Sequence, residues 1–108
     1  MTITGSDTFS GSIANGESET LSLYSETAER LHVLIDDGTT GSPPAEYDLT
    51  HRAQPSGGEI NRFQFYQDET GRTARSYRFE SVGLRTEIEI ENVSGGSAEY
   101  EIAVIAHE

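Results

Sequence analysis

From Leu84 to Asn92 the chain alternates without a break. Leu84, Thr86, Ile88 and Ile90 fall on one side, and Arg85, Glu87, Glu89 and Glu91 on the other. A segment patterned with period two buries its apolar side as a β-strand and turns its charged side to water. Leu31, Val33 and Ile35 repeat the pattern, as do Phe63 and Phe65, Tyr77 and Phe79, and Tyr100, Ile102 and Val104. On the last of these runs Ala103 and Ile105 make the second face apolar too, which predicts cover on both sides. Shorter candidates at Thr8 to Ile13, Thr20 to Tyr24 and Glu46 to His51 bring the total to about eight strands. Turn-forming stretches separate them: Ala14-Asn15-Gly16-Glu17, Asp37-Gly38-Thr39-Thr40-Gly41, Pro55-Ser56-Gly57-Gly58, Glu69-Thr70-Gly71 and Ser94-Gly95-Gly96-Ser97. Helical character is confined to one turn at Ser25 to Arg30. These signals predict an all-β fold, with residues 1–108 forming one antiparallel β-sandwich domain of jelly-roll or Greek-key type. Its expected interior includes Val33, Ile35, Phe63, Phe65, Ile88, Ile90 and Ile102.

Charge describes the setting. The chain has no lysine; its basic residues are Arg30, Arg52, Arg62, Arg72, Arg75, Arg78 and Arg85, against 19 Asp and Glu, for a formal net charge of -12 on 108 residues. Self-repulsion at this density disfavours the compact state in dilute buffer, and concentrated salt screens it. Coding bias replaces Lys with Arg but does not create an acid excess, so the balance points to a salt-adapted source. Hydrophobic residues make up 33%, which predicts a thin two-layer core completed by contacts between subunits. With no cysteine, disulfides and thiolate metal sites are excluded. The first residues, Met-Thr-Ile-Thr-Gly-Ser-Asp, show neither a basic region nor an apolar run, so a soluble protein made in the cytoplasm is expected. No stretch approaches the ~20 apolar residues of a membrane span, and the acidic balance argues against nucleic acid, which needs clustered cations.

Two stretches resemble a known module. Ser10-Gly11-Ser12-Ile13-Ala14-Asn15-Gly16-Glu17-Ser18 is similar to the opening of bacterial pre-peptidase C-terminal domains. Ser94-Gly95-Gly96-Ser97-Ala98-Glu99-Tyr100-Glu101-Ile102-Ala103-Val104 is similar to their closing hairpin, and Tyr47-Asp48-Leu49 sits where they often carry Asp-Leu. The likeness covers about a third of the chain and implies a sandwich architecture and no binding residues. By size, acidity and class the chain also resembles the capsid decoration, turret and tail-associated proteins of tailed viruses that infect haloarchaea. That resemblance implies a structural protein assembled inside the host cell.

Candidate sites are few. His32, His51 and His107 are the only imidazoles and are expected at the surface. Asp36, Asp37, Glu46 and Asp48 border one loop and could offer oxygens to a hard cation, though their spacing fits no EF-hand; no metal or other cofactor is expected. Glu87, Glu89, Glu91, Glu99 and Glu101 form the densest acid cluster, with Glu99 and Glu101 expected on a hairpin partner of the Glu87 strand. It reads as a hydrated face or as a patch that meets arginines of a neighbouring subunit. Arg72, Arg75 and Arg78 form the one basic cluster. They are either a docking surface for an acidic partner or a local balance for Asp68, Glu69 and Glu80. Asn92-Val93-Ser94 matches a glycosylation acceptor and is expected to be chance. An exposed aromatic platform for sugars would need Tyr24, Tyr47 and Tyr66. No catalytic constellation is present. The expected function is therefore that of a non-enzymatic virion protein of a halophilic tailed virus. It would decorate the capsid or its turrets as a homo-oligomer, a trimer or pentamer, and dock through Arg72, Arg75 and Arg78 to its own copies or to a major capsid protein. The alternative is a carbohydrate-binding or adhesion-like module.

Overall fold

A computed structural model of the chain describes residues 2–38, 42–54, 64–81 and 83–108. Eight strands occupy most of them: β1 (Ile3–Ile13), β2 (Ser18–Tyr24), β3 (Arg30–Asp36), β4 (Tyr47–Gln54), β5 (Gln64–Arg72), β6 (Ser76–Glu80), β7 (Arg85–Asn92) and β8 (Ala98–His107). They form two four-stranded antiparallel sheets, sheet 1 in the order β1-β8-β3-β6 and sheet 2 in the order β2-β7-β4-β5. This interleaving is that of a jelly roll, in which the chain crosses between layers instead of folding back on its neighbour. Only β4 and β5 are both consecutive and paired.

Alternation sets the core. On β7 every second residue from Thr86 to Asn92 is buried, and on β3 Leu31, Val33 and Ile35 are. Leu21, Leu23, Leu49, Ile102 and Val104 join them from the facing strands, with Tyr47 and Tyr100 among the bulkiest fully buried side chains. Val33, Ile35, Ile88, Ile90 and Ile102 are thus interior as expected, while Phe63 and the side chain of Phe65 lie outside the described residues.

The two sheets close on one flank where β1 meets β2. Asp7 Oδ2 accepts a hydrogen bond from the Ser22 amide at 3.1 Å. Gly5 lies so near the carbonyl oxygen of Tyr24 that a Cβ there would overlap it. A residue without a side chain is what allows two backbones from different sheets to touch.

Three local expectations are corrected. Ser25 to Arg30 is not a helical turn but a hydrogen-bonded turn, with the Ala28 amide donating to the Ser25 carbonyl at 3.1 Å. Glu69-Thr70-Gly71 is not a turn between strands. β5 runs through it, and Thr70 and Gly71 together oppose Asp48, since Tyr47 faces Arg72 and Leu49 faces Glu69. Gly71 takes the left-handed conformation, φ 59°, that such a bulge requires, and Asp48 Oδ1 accepts its amide at 2.7 Å. Finally, β7 and β8 form no hairpin, because they belong to different sheets.

Candidate functional site

That last correction divides the acid cluster. Glu87, Glu89 and Glu91 stand on the outer face of sheet 2, whereas Glu99 and Glu101 stand on the outer face of sheet 1. On sheet 2 the glutamates are met by this chain's own Arg52 on neighbouring β4. Its guanidinium spans Glu87 (3.2 Å) and Glu89 (2.7 Å), and Ser18 Oγ donates to the other Glu89 oxygen at 2.9 Å. The Arg52 hydrogen bond holds the Glu89 carboxyl below its ordinary range and raises the guanidinium in turn. On sheet 1, Glu101 and Glu99 lie opposite Ser10 and Ser12 of β1. On both outer faces these glutamates therefore stand beside hydroxyls of the neighbouring strand.

The loop acids are taken up separately. Asp36 Oδ1 accepts from the Arg75 guanidinium at 2.9 and 3.0 Å, and Asp48 accepts from Gly71 on the β4–β5 bulge. No group of three or more His, Asp or Glu side chains placed to hold a metal ion occurs among the described residues.

The arginines Arg72, Arg75 and Arg78 follow the flank opposite the β1–β2 seam. Arg72 ends β5, Arg75 lies in the connector between the sheets, and Arg78 is on the outer face of edge strand β6. Arg72 pairs with Glu69 at 3.0 Å and Arg75 with Asp36. Both are more than half exposed, where such pairs contribute little to stability. Arg78 makes no ion pair among the described residues.

His51, His107 and Tyr47 depart from expectation, while His32 lies on the outer face of sheet 1 and Tyr24 is exposed. His51 is fully buried because it continues the inward face of Tyr47 and Leu49, and its ring stacks on Phe79 at 5.2 Å. Burial pushes its imidazole down to about 4. His107 is also buried; its Nδ1–H donates to the Glu108 carbonyl at 2.8 Å, and His32 meets it edge to face at 4.6 Å. Desolvation lowers the His32 imidazole, with His107 and Arg78 adding to the effect. Tyr47 is buried, donating to the Ala74 carbonyl at 2.6 Å, and burial pushes its phenol up. Tyr24 is 60% exposed but carries the Arg85 guanidinium over its ring at 5.0 Å. Tyr66's side chain lies outside the described residues. Tyr24 and Tyr47 thus form no shared platform. Asn92 is fully buried: its Nδ2 donates to Ile13 and Gly96 carbonyls at 2.7 and 2.8 Å, and its Oδ1 accepts from Ser94. Such an amide is closed to a glycan in the folded state.

One surface was only partly legible. On the outer face of sheet 1, Leu34 is 46% exposed and stands across from Ala103, with Ile105 next along opposite His32. Arg78 follows on β6, opposite His32. The apolar second face of β8 signalled half of this patch. Leu34 gave no signal of its own, because a single leucine among polar residues of one strand face is common at any surface.

No family model matches the sequence, and no curated protein matches it. Solved structures do. The mitogen of Yersinia pseudotuberculosis superposes with a TM-score of 0.66 at 14% identity, over 95% of this chain and 86% of that one. A periplasmic inhibitor of g-type lysozyme from Aeromonas hydrophila gives 0.61 at 11%, over 95% and 87%. The pre-peptidase C-terminal domain of a Bacillus anthracis collagenase gives 0.56 at 11%, over 91% and 87%. The likeness is one of fold: a small all-β sandwich shared by proteins of different activities.

Proposed function

We propose that the protein is a non-enzymatic docking module, a structural component of the virion of a halophilic tailed virus, displayed on the capsid or its turrets as a symmetric oligomer. The observation that carries this reading is the outer face of sheet 1, where exposed Leu34 and half-buried Ala103 and Ile105 lie near Arg78, with His32 between Ile105 and Arg78. An apolar stripe near a cation that has no ion pair among the described residues, on a strongly acidic chain, suits a contact with another protein. Jelly rolls serve widely in capsids, and the lysozyme inhibitor among the fold's neighbours is named for its action on another protein. The carbohydrate-module alternative loses its aromatic platform with Tyr47 buried. The test is fractionation of particles from the source culture on a density gradient, with the protein quantified against the major capsid protein. The reading expects a constant ratio across the particle peak. Protein confined to the soluble fraction overturns it.

A further inference from the structure

We propose that two copies of this chain pair through the outer edge of β6, antiparallel about a two-fold axis at Phe79, joining their first sheets into one continuous sheet. The edges of this sandwich are treated differently. β1 and β2 cover one another at the Gly5 and Asp7 seam. β5 carries two register shifts, the kind of irregularity that discourages a further strand from pairing. β6 is regular, with neither bulge nor proline, and ends sheet 1.

The hydrogen-bond direction fixes which groups it offers. Ile35 donates to the Arg75 carbonyl and Ser81 donates to the Glu29 carbonyl. In an antiparallel ladder the odd-numbered residues of β6 therefore face β3, and the N–H and C=O groups of Ser76, Arg78 and Glu80 face away. No hydrogen bond reaches these outward groups among the described residues, and all three side chains are exposed.

Charge then selects the register. An axis at Arg78 would set two arginines against each other, and an axis at Tyr77 would set Arg78 against the partner's Ser76. An axis at Phe79 sets Arg78 opposite the partner's Glu80, and Glu80 opposite the partner's Arg78, in two hydrogen-bonded pairs. Neither Arg78 nor Glu80 has an ion pair among the described residues of its own chain. At the axis the two Phe79 side chains form a non-hydrogen-bonded aromatic pair, with Cα atoms about 4.5 Å apart, at the margin of both cores. A second copy is the occupant that this strand's own charge sequence fits. The contact gives a dimer, or an assembly built from dimers, in place of the expected trimer or pentamer. It does not depend on where the protein is displayed.

Light scattering on the full chain in molar KCl, over a dilution series, tests this. Wild type is expected at twice the chain mass. R78E and E80R each place like charges opposite one another twice and should raise the dissociation constant about tenfold or more. The double variant R78E/E80R exchanges the charges and should restore the wild-type value. R78P removes an amide that faces away from β3, so it should abolish pairing while circular dichroism and melting stay close to wild type. A wild type at single-chain mass throughout overturns the proposal. So does an R78P variant that still associates, or a double variant no tighter than either single change.

Discussion

At the scale of single residues, the polar groups inside this sandwich divide into a satisfied set and a titrating one. Asn92 belongs to the first, tying the ends of β1 and β7 to the loop before β8. Replacing it with alanine strands the Ile13 and Gly96 carbonyls and should cost about 2–4 kcal/mol, lowering the melting midpoint by about 10–20 °C. His51 belongs to the second. Unfolded, its imidazole takes a proton near 6.5; folded, it resists down to about 4. Between those values the unfolded state binds more protons, so stability is complete above the upper value and falls as the pH drops through the window. The total is about 3 kcal/mol, and lowered His32 contributes with the same sign. Urea unfolding across this range should show the slope, and His51→Leu should flatten it. The inward position of His51 was legible in principle, since period two carries from Tyr47 through Leu49 to His51 and Ala53. An imidazole's usual preference for the surface obscured it. Asn92 was legible on the same ground, completing the face of Ile88 and Ile90, though its bond to the Ile13 carbonyl was not, because Ile13 is distant in sequence.

At the scale of elements, alternation identified nearly every strand, while their assignment to sheets was hidden. A local pattern reports which side of a strand is buried, not which strand it pairs with. In a jelly roll most consecutive strands cross between layers, so the short Gly-rich link from Asn92 to Ala98 looks like a hairpin and is a crossing. The bulge at Gly71 was hidden in the same way: a Thr-Gly pair marks a turn or a bulge equally, and only the partner strand decides. The β1–β2 seam makes this scale testable. Gly5→Val should force the Tyr24 backbone away and cost about 1–3 kcal/mol, whereas Gly96→Ala, whose Cβ would meet nothing within 4 Å, should cost far less. Paired denaturant titrations separate the two. Equal losses would mean that the seam does not close the sandwich.

At the scale of the whole molecule, the fold class was legible in many short alternating strands, and the proposed salt-adapted setting is argued from charge. The proposed docking surface was legible only in part, because Leu34 and the edge of β6 acquire meaning once β3, β6 and β8 are neighbours. Among the described residues, Arg52 offsets Glu87 and Glu89, Arg72 offsets Glu69 and Arg75 offsets Asp36, while other acids stand on both outer faces and in the turns. The salt-adapted part of the proposal rests on the acid surplus. Repulsion among like charges weakens as the Debye length shrinks to about 3 Å at 1 M salt, while local pairs such as Arg52–Glu89 hold their geometry. The most direct measurement is the thermal unfolding midpoint of the wild-type chain along a KCl series from dilute buffer to molar salt. The account predicts a marked and continuing rise. A midpoint that stays flat or falls would show that the net charge of -12 imposes no cost on the fold, and would contradict the salt-adapted setting on which the proposed role stands.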